Sequence, residues 1–586
     1  MKLKTPYRII LLAGTLAATL TACSDPDNSS GSDNRPNNDV PPANLLSNLV
    51  FVPAADDIVD SSAHYDQDGY SDTDVVRVDL RTVTSPGICT QENQSGCTFD
   101  DVLADTNNRD EFNVEIPVHF SGDDFPQDGS VSNATLRQRG NFSRFAPQKS
   151  FRVRLDNNEQ LWRNERRLQL NKHPYDLSRI KNKLAFDLMK DIPHLPSLRT
   201  QFVNLWIDNG TGPADYGLFT HAEYVGGRYL RNRGFNSDDR LYKVQFLEFS
   251  EGDLNFLQLD AEGEPLDELQ FETRLNITNG DDHTKLIEMI QAVNDSSRAF
   301  ESVLDQYFNR NNVLMWVTVN LLMRNTDAVT QNFYLYNPEG TEKFYFLPWD
   351  YDGTFETESE LINSFNNDEL AKRKFYGYAR GINSRFLTRY FRLPNIHERI
   401  VSAAQELRNT YLTNAQIAER ADQLNNLTED YLTRLPDSQH GRFEPQNSLL
   451  FTNSVESTHA ALQNDFGVPM PPTLLPPAFD ENGTLTLTWT PAFDVTQTNT
   501  LTYDLELSTS YLFEPENIVF SFSSIADAQG QISYELGTGG LPSGQLFVRL
   551  TARGSTDPQR YWQVASNFHR LPDGSDRFGI LAITIP

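Results

Sequence analysis

Cysteine is scarce, at three in 586 residues, which excludes a disulfide scaffold. The ten histidines are scattered without the spacing of a zinc site, and no His-Glu-x-x-His occurs. Beyond the N-terminus no apolar run approaches the roughly 18 residues a membrane-spanning helix needs. A Walker A loop, a Gly-x-Gly-x-x-Gly loop and a Gly-x-Ser-x-Gly nucleophile elbow are all missing. No internal repeat of fixed period is present. Positive charge is in deficit: 50 Lys and Arg stand against 80 Asp and Glu, for a net charge of −30. Such a chain has no global field for nucleic acid, and its acid excess serves solubility. What is present is enough apolar material for sizeable cores: 38% hydrophobic and 11% aromatic residues exclude whole-chain disorder. The length suits about four domains, or fewer if one is large.

The N-terminus reads as an address. Lys2, Lys4 and Arg8 precede a short apolar stretch from Ile9 to Leu20, which ends Leu20-Thr21-Ala22-Cys23. This is the layout of a secretory signal over 1–22. A small residue followed by Cys resembles a bacterial lipobox, so lipidation of Cys23 is expected, and an ordinary signal ending near a Cys is the alternative. Removing 1–22 takes three basic residues and no acid, leaving −33. Ser24 after the Cys resembles the sorting signal for the outer membrane, so the expected location is the cell envelope, held by lipid alone. Residues 23–49, rich in Ser, Asp, Asn and Pro, read as a flexible tether. Export makes the surroundings oxidising. Cys89 and Cys97 then suit a disulfide across a short loop, worth about 2–3 kcal/mol, with two free thiols as the alternative.

Val50 to Arg154 reads as strand and loop: Val75, Val76, Val78 and Leu80 lie in one run, and Val114, Ile116, Val118 and Phe120 alternate with polar residues. Leu177 to Met189 has helical spacing, with Asp176 or Ser178 as its cap. Strands are expected at Phe202–Ile207 and Gly217–Val225, and helices at Leu286–Val293, Phe300–Phe308 and Val313–Met323. Phe333–Tyr336 and Phe344–Leu347, joined by Asn337-Pro338-Glu339-Gly340, read as a hairpin. Phe386 to Leu432 is helical again, and Gly467 to Pro477 reads as a Pro-rich linker. After it come short alternating strands: Leu485, Leu487 and Trp489; Tyr503, Leu505 and Leu507; Ile532, Tyr534 and Leu536; Leu546, Val548 and Leu550. They predict a β-sandwich over 470–586. The early Trp, the Tyr strand and the Phe547–Ala552 run resemble a fibronectin type III module, a fold that by itself carries no activity.

The chemistry-bearing pattern flanks the hairpin. Arg324-Asn325-Thr326-Asp327 ends an apolar helix, Asn332 follows five residues on, and Pro348-Trp349-Asp350-Tyr351-Asp352 ends an apolar strand. This order lets Asp327, Asn332, Asp350 and Asp352 converge on one point. Such a point suits Mg²⁺, which takes few protein oxygens and completes its shell with phosphate and water. Asp-x4-Asn followed by a hairpin and an Asp is the spacing of a protein-kinase catalytic loop, which makes Asp327 the base and Asn332 and Asp350 metal ligands. Asp-x4-Asn is common, and an Asp ending a strand often caps a turn. Upstream, the Gly/Asn/Ser-rich turn in Leu136–Ser143 leads to Lys149-Ser150-Phe151-Arg152, where Lys supplies a point charge and Arg a fork for phosphate. A surface hairpin with exposed bases is the plain alternative. Asp350 and Asp352 also keep glycoside hydrolysis in view, but the Lys/Arg strand has no use in that chemistry.

Six ordered motifs between residues 137 and 352 together resemble the CotH kinase family of atypical kinases: Arg137–Ser143, Lys149–Arg152, Arg179 with Asn182, Gly217–Glu223, Asn325–Asp327 and Pro348–Asp352. The resemblance covers 70 to 435 and implies an α+β, kinase-like two-lobed domain over 50–455. It implies ATP and Mg²⁺ as cofactors and phosphorylation of Ser or Thr on an unknown acceptor protein. By position, Lys149 is the phosphate-contacting lysine, Asp327 the base, Asn332 and Asp350 metal ligands and Asp352 a helper. Glu223 lies at the interlobe hinge, to contact nucleotide or to structure the hinge. Arg137, Arg139 and Arg179 are placed to touch phosphate or to hold the lobes by ion pairs. The 139–143 turn stands in for the missing Gly-rich loop, and Asp187 and Glu223 are the candidate carboxylate partners of Lys149. A catalytically idle surface scaffold is the competing reading, disfavoured by the intact acidic residues.

A separate acidic loop, Asp66-Gln67-Asp68-Gly69-Tyr70-Ser71-Asp72-Thr73-Asp74, offers Asp66, Asp68 and Asp72 to Ca²⁺. An EF-hand register would put His64 first and Val75 last, so a solvated Asx-rich turn is the stronger expectation.

Overall fold

The computed structural model describes residues 54–60, 64–65, 67–71, 73–83, 87–88, 95–107, 113–123, 125, 131–156, 160–356, 377–440, 448–572 and 574–586. Cys23, Asp66, Asp72 and Cys89 lie outside these. Cys97 is disulfide-bonded.

Alternating apolar residues in the first part of the chain produce a closed barrel. Its strands are β1 (Val75–Thr82), β2 (Glu115–Gly122), β3 (Ala134–Arg139), β4 (Ser150–Leu155), β5 (Arg167–Asn171), β6 (Thr200–Asp208) and β7 (Pro213–Ala222). The order around the barrel is β1-β2-β3-β4-β5-β7-β6. Closure is by the parallel pair β1–β6, with Val75 opposite Phe202, whereas every other pair is antiparallel. Closure leaves no strand edge exposed. Val76, Val78, Leu80, Ile116, Val118 and Phe120 fill the interior. The reading of this region as strand and loop missed a short helix, Phe99–Ala104, whose Thr98 and Asp101 form a capping box. Phe99 and Val102 plug the barrel core.

A second core follows. Strands β8 (Arg240–Val244), β9 (Leu275–Asn279), β10 (Phe333–Asn337) and β11 (Tyr345–Pro348) make an antiparallel sheet in the order β9-β8-β10-β11. Helix α1 (Lys181–Met189) begins later than the spacing predicts: Asp176 accepts bonds from the Lys181 amide (3.0 Å) and from Ser178, which stops the helix from extending back over Leu177. Helix α2 (Arg310–Leu322) is apolar nearly all round and is buried accordingly. It packs on β11 and on α3 (Ile396–Thr410), and α4 (Asn414–Leu432) packs on α5 (Ser448–Asp465). The expected domain edge at 455 falls inside α5.

The third core is the all-β end. Strands β12 (Thr473–Leu474), β13 (Ala478–Phe479) and β14 (Thr484–Thr490) form one sheet in the order β12-β14-β13, and β17 (Ile532–Gly537) pairs with β14. The other sheet runs β16 (Ile518–Ala526), β15 (Leu501–Ser508), β18 (Gly544–Gly554), β19 (Trp562–Arg570), β20 (Asp576–Ile585). Leu485, Leu487, Trp489, Tyr503, Leu505 and Leu550 meet between them. The segment 467–477 is no free linker. Phe466 and Met470 are buried, the Met470 amide donates to the Phe493 carbonyl (2.8 Å), Tyr378 Oη donates to the Val468 carbonyl, and Arg392 lies over the Phe493 ring (4.9 Å). Its apolar residues outweigh the linker signal of its prolines, because burying them fastens the sandwich to the helical region.

Candidate active site

The β10–β11 register sets Phe333 opposite Pro348, which leaves Asn332 and Asp350 just beyond the same end of the hairpin. Both adopt left-handed backbone, with φ of 60° and 59°. Asn and Asp enter that region more readily than other residues with a Cβ, and such positions cluster where function demands them. Asp327 follows α2. Its Oδ1 accepts from Gln331 Nε2 (2.7 Å) and its Oδ2 from Asn332 Nδ2 (2.6 Å), while an Arg380 guanidinium nitrogen stands 3.8 Å from Oδ1. The Asp327 side chain remains 47% exposed, so it can still reach a substrate.

The other carboxylates form a separate group. Asp350 and Asp352 come together with His173, a donor atom of each lying within 4.8 Å of the others. The four polar groups of the predicted convergence are therefore two sets at one end of the hairpin: the bonded pair Asp327–Asn332, and the Asp350–Asp352 pair with His173. Burial, and then the like charge of Asp352, push the Asp350 carboxyl up to about 7, against the pull of His173, Arg139 and Lys243. Asp352 is held below its ordinary value: burial opposes this, but the His173 hydrogen bond, the His173 charge and Lys181 prevail. Two neighbouring carboxylates share one proton near neutrality because both charges cannot be held so close without a cation. These hard oxygen donors fit Mg²⁺.

Positive charge surrounds Asp350. Trp349, itself buried, carries Arg139 5.6 Å from its ring centroid and Lys243 5.5 Å from it. Arg139 also donates to Gln169 Oε1 (2.9 Å). Lys149 precedes β4 at the same end of the barrel, since Ser150 pairs with Arg139. Its ammonium donates to the Arg144 carbonyl, and burial and the Arg144 charge lower its pKa. Neither expected partner reaches it. Asp187 binds Lys183, Lys190 and Arg420. Glu223 lies between Arg199 (3.0 Å) and Arg233 (3.0 Å), fully buried. These guanidiniums satisfy Glu223 and hold its pKa far below the carboxylate range against the cost of burial, so it braces the barrel end. Arg137 is buried at a register position between Glu115 and Arg152. Arg179 donates to the Lys172 carbonyl (2.9 Å) and the His173 carbonyl and to Gln148 Oε1 (2.5 Å), so it ties chain segments together. Asp68 accepts from Arg199 (2.7 Å) and Asn164 (3.2 Å), a protein cation where Ca²⁺ was considered.

His173, Lys243, Gln331 and Arg380 escaped the sequence reading. The histidines carry no metal spacing, and the one local signal at His173 is the His-Pro step just after β5 ends at Asn171. Lys243 shares a short strand with Arg240, and nothing in its neighbourhood marks it.

The comparisons with known proteins agree with the family resemblance. The family model described as "CotH kinase protein" matches residues 136–462, more than half of the chain. The chain belongs to the CotH kinase protein family. A curated relative, inner spore coat protein H of Bacillus subtilis (strain 168), is 27% identical over 223 residues, covering 38% of this chain and 58% of that protein. The CotH match extends beyond the expected 70 to 435 at its end and starts later, leaving β1 and β2 outside it. Among the described residues no helix is long and apolar enough to cross a membrane.

Proposed function

We propose that this CotH family member is an atypical protein kinase that moves the γ-phosphate of ATP to a Ser or Thr hydroxyl of a protein acceptor. The supporting observation is the half-exposed Asp327 at the same hairpin end as a half-buried carboxylate pair, Asp350 and Asp352, on which Arg139 and Lys243 exert their charge. The acceptor hydroxyl oxygen attacks the γ-phosphorus, its proton passes to an Asp327 carboxylate oxygen, and the bond to the β,γ-bridging oxygen breaks to release ADP. Gln331 and Asn332 hold both Asp327 oxygens, which aims the base. Mg²⁺ held by Asp350 and Asp352, with the Asn332 amide oxygen, would neutralise phosphate charge. Arg139, Lys149 and Lys243 supply cations for the phosphates. In this reading the barrel and the sheet-and-helix body are the two lobes, and the terminal sandwich, which in sequence resembles a fibronectin type III module, meets a partner. The N-terminal pattern supports an exported protein anchored by lipid at Cys23 in the outer membrane.

A second reading is a catalytically idle scaffold. It is favoured by Lys149, which among the described residues lacks the carboxylate partner that ordinary kinases require, and by the relative being named an inner spore coat protein. Incorporation of label from γ-labelled ATP and Mg²⁺ into the protein and a generic acceptor, beside Asp350→Ala, decides between them. Label in the parent and none in the variant supports the kinase. No label in either, with no ATP-dependent thermal shift, leaves the scaffold.

A further inference from the structure

The imidazole of His173 is engaged at both nitrogens. Nδ1 lies 3.0 Å from Asp352 Oδ2, and Nε2 lies 3.2 Å from Asn182 Nδ2. Which nitrogen carries the proton follows from Asn182. Its Oδ1 accepts from the Tyr351 amide (2.8 Å), so its NH₂ faces His173 and must donate. Nε2 therefore presents its lone pair, Nδ1 carries the hydrogen, and that hydrogen goes to Asp352. The side chains of His173 and Asn182 are buried. Arg179, also buried, holds the His173 carbonyl, and the first turn of α1 carries Asn182. The turn Asp350-Tyr351-Asp352 is thus gripped at a backbone amide and at one carboxylate oxygen by residues that precede it by about half the domain.

We infer that His173 and Asn182 are positioning residues, not ligands: they fix Asp352 so that an all-oxygen donor set faces the cation, which suits Mg²⁺ or Mn²⁺ over metals that prefer nitrogen. This rests on the metal-dependent reading above. With neither imidazole nitrogen free, the third member of the cluster cannot coordinate without breaking a bond to Asp352 or Asn182. Carboxylate orientation by an outer hydrogen bond is worth about 10–100-fold in metal affinity.

The test is direct Mn²⁺ binding to the purified full protein, read by electron paramagnetic resonance, with no turnover involved. His173→Ala weakens Mn²⁺ binding about 10–100-fold with its melting temperature kept. His173→Asn, whose amide reaches the position of Nδ1 and whose backbone accepts the φ of 48° at this site, recovers most of the affinity. Asn182→Ser weakens binding in the same direction and serves if His173→Ala does not fold. The Mn²⁺ signal of the parent shows no directly bound nitrogen. Equal binding by parent and by folded His173→Ala and Asn182→Ser overturns the positioning role. Direct nitrogen coupling lost in His173→Ala makes His173 a ligand and overturns the inference. A parent that binds no Mn²⁺ at all overturns the metal reading of the site itself, and the positioning role with it.

Discussion

Two carboxylate clusters, one buried and one half-buried, are built on opposite principles. At the barrel end, Glu223 lies between Arg199 and Arg233, with Glu165 3.6 Å from Arg199 and Asp60 3.6 Å from Arg233. Every acid there has a guanidinium, and Glu165, deprived of a full share, is pushed up by burial and by Glu223 toward its neutral form. At the hairpin end, Asp350 and Asp352 stand together with the His173 imidazole, and the nearby Arg139 and Lys243, which also lie over Trp349, only partly offset their like charge. In the first cluster each acid is matched by a guanidinium. In the second, two acids stand side by side, an arrangement that a divalent cation would relieve if bound there. Buried charge by itself marks nothing, whereas like charges held together with a perturbed proton mark a candidate site.

The largest effects separate the two clusters. Glu223→Gln leaves two buried guanidiniums without their shared acid and lowers stability by about 3 kcal/mol, read by urea unfolding, while Asp350→Asn relieves like-charge repulsion and leaves the melting temperature unchanged or raised. Equal destabilisation by both would erase the contrast. Next, Asp327→Asn removes the base and lowers phosphate transfer about 10²–10⁴-fold, with stability unchanged because the side chain is half exposed. A parallel loss of stability would move Asp327 into the structural class.

The Asp350 proton supplies a pH test. Its folded pKa, about 7, lies above the unfolded value, so in the metal-free protein its contribution to stability is full below about pH 4 and is lost as the pH rises through 7. Mg²⁺ must displace that proton below pH 7. The thermal stabilisation by Mg²⁺ therefore grows from pH 6 to pH 8, and the Mg²⁺ affinity falls by about tenfold per unit below pH 7. A flat profile would show that Asp350 is ionised throughout. The smallest effect belongs to Arg380. Its guanidinium stands 3.8 Å from Asp327 on a partly exposed pair, so Arg380→Gln lowers the rate less than about tenfold.

Much of the site was legible in the chain because its signals are local. The hairpin alternates over a few residues, the turn Asn337–Gly340 names its own geometry, and Asp327, Asn332, Asp350 and Asp352 sit at the ends of elements whose lengths the pattern predicts. The barrel strands β1, β2, β6 and most of β7 were legible for the same reason, whereas β5 (Arg167–Asn171) carried no such signal. What failed to show was pairing. Asp187 and Glu223 were reasonable partners for Lys149 by residue type, yet each is taken by guanidinium or ammonium groups from elsewhere. The Pro-rich stretch 467–477 looked like a linker because proline is a local signal, and its burial against Tyr378 and Phe493 is not.

By itself the sequence determined the hairpin of β10 and β11, the long apolar helix before it, the alternating strands of the terminal sandwich, the order of the motifs and the CotH membership, since each depends on residues near one another or on their order. Only the tertiary structure decided that His173 meets Asp352, that Lys243 joins Arg139 over Trp349, and that Glu223 is neutralised where Asp350 is not. Those outcomes depend on which distant groups are buried together, and desolvation, which makes a buried charge costly or useful, exists only once the chain has folded.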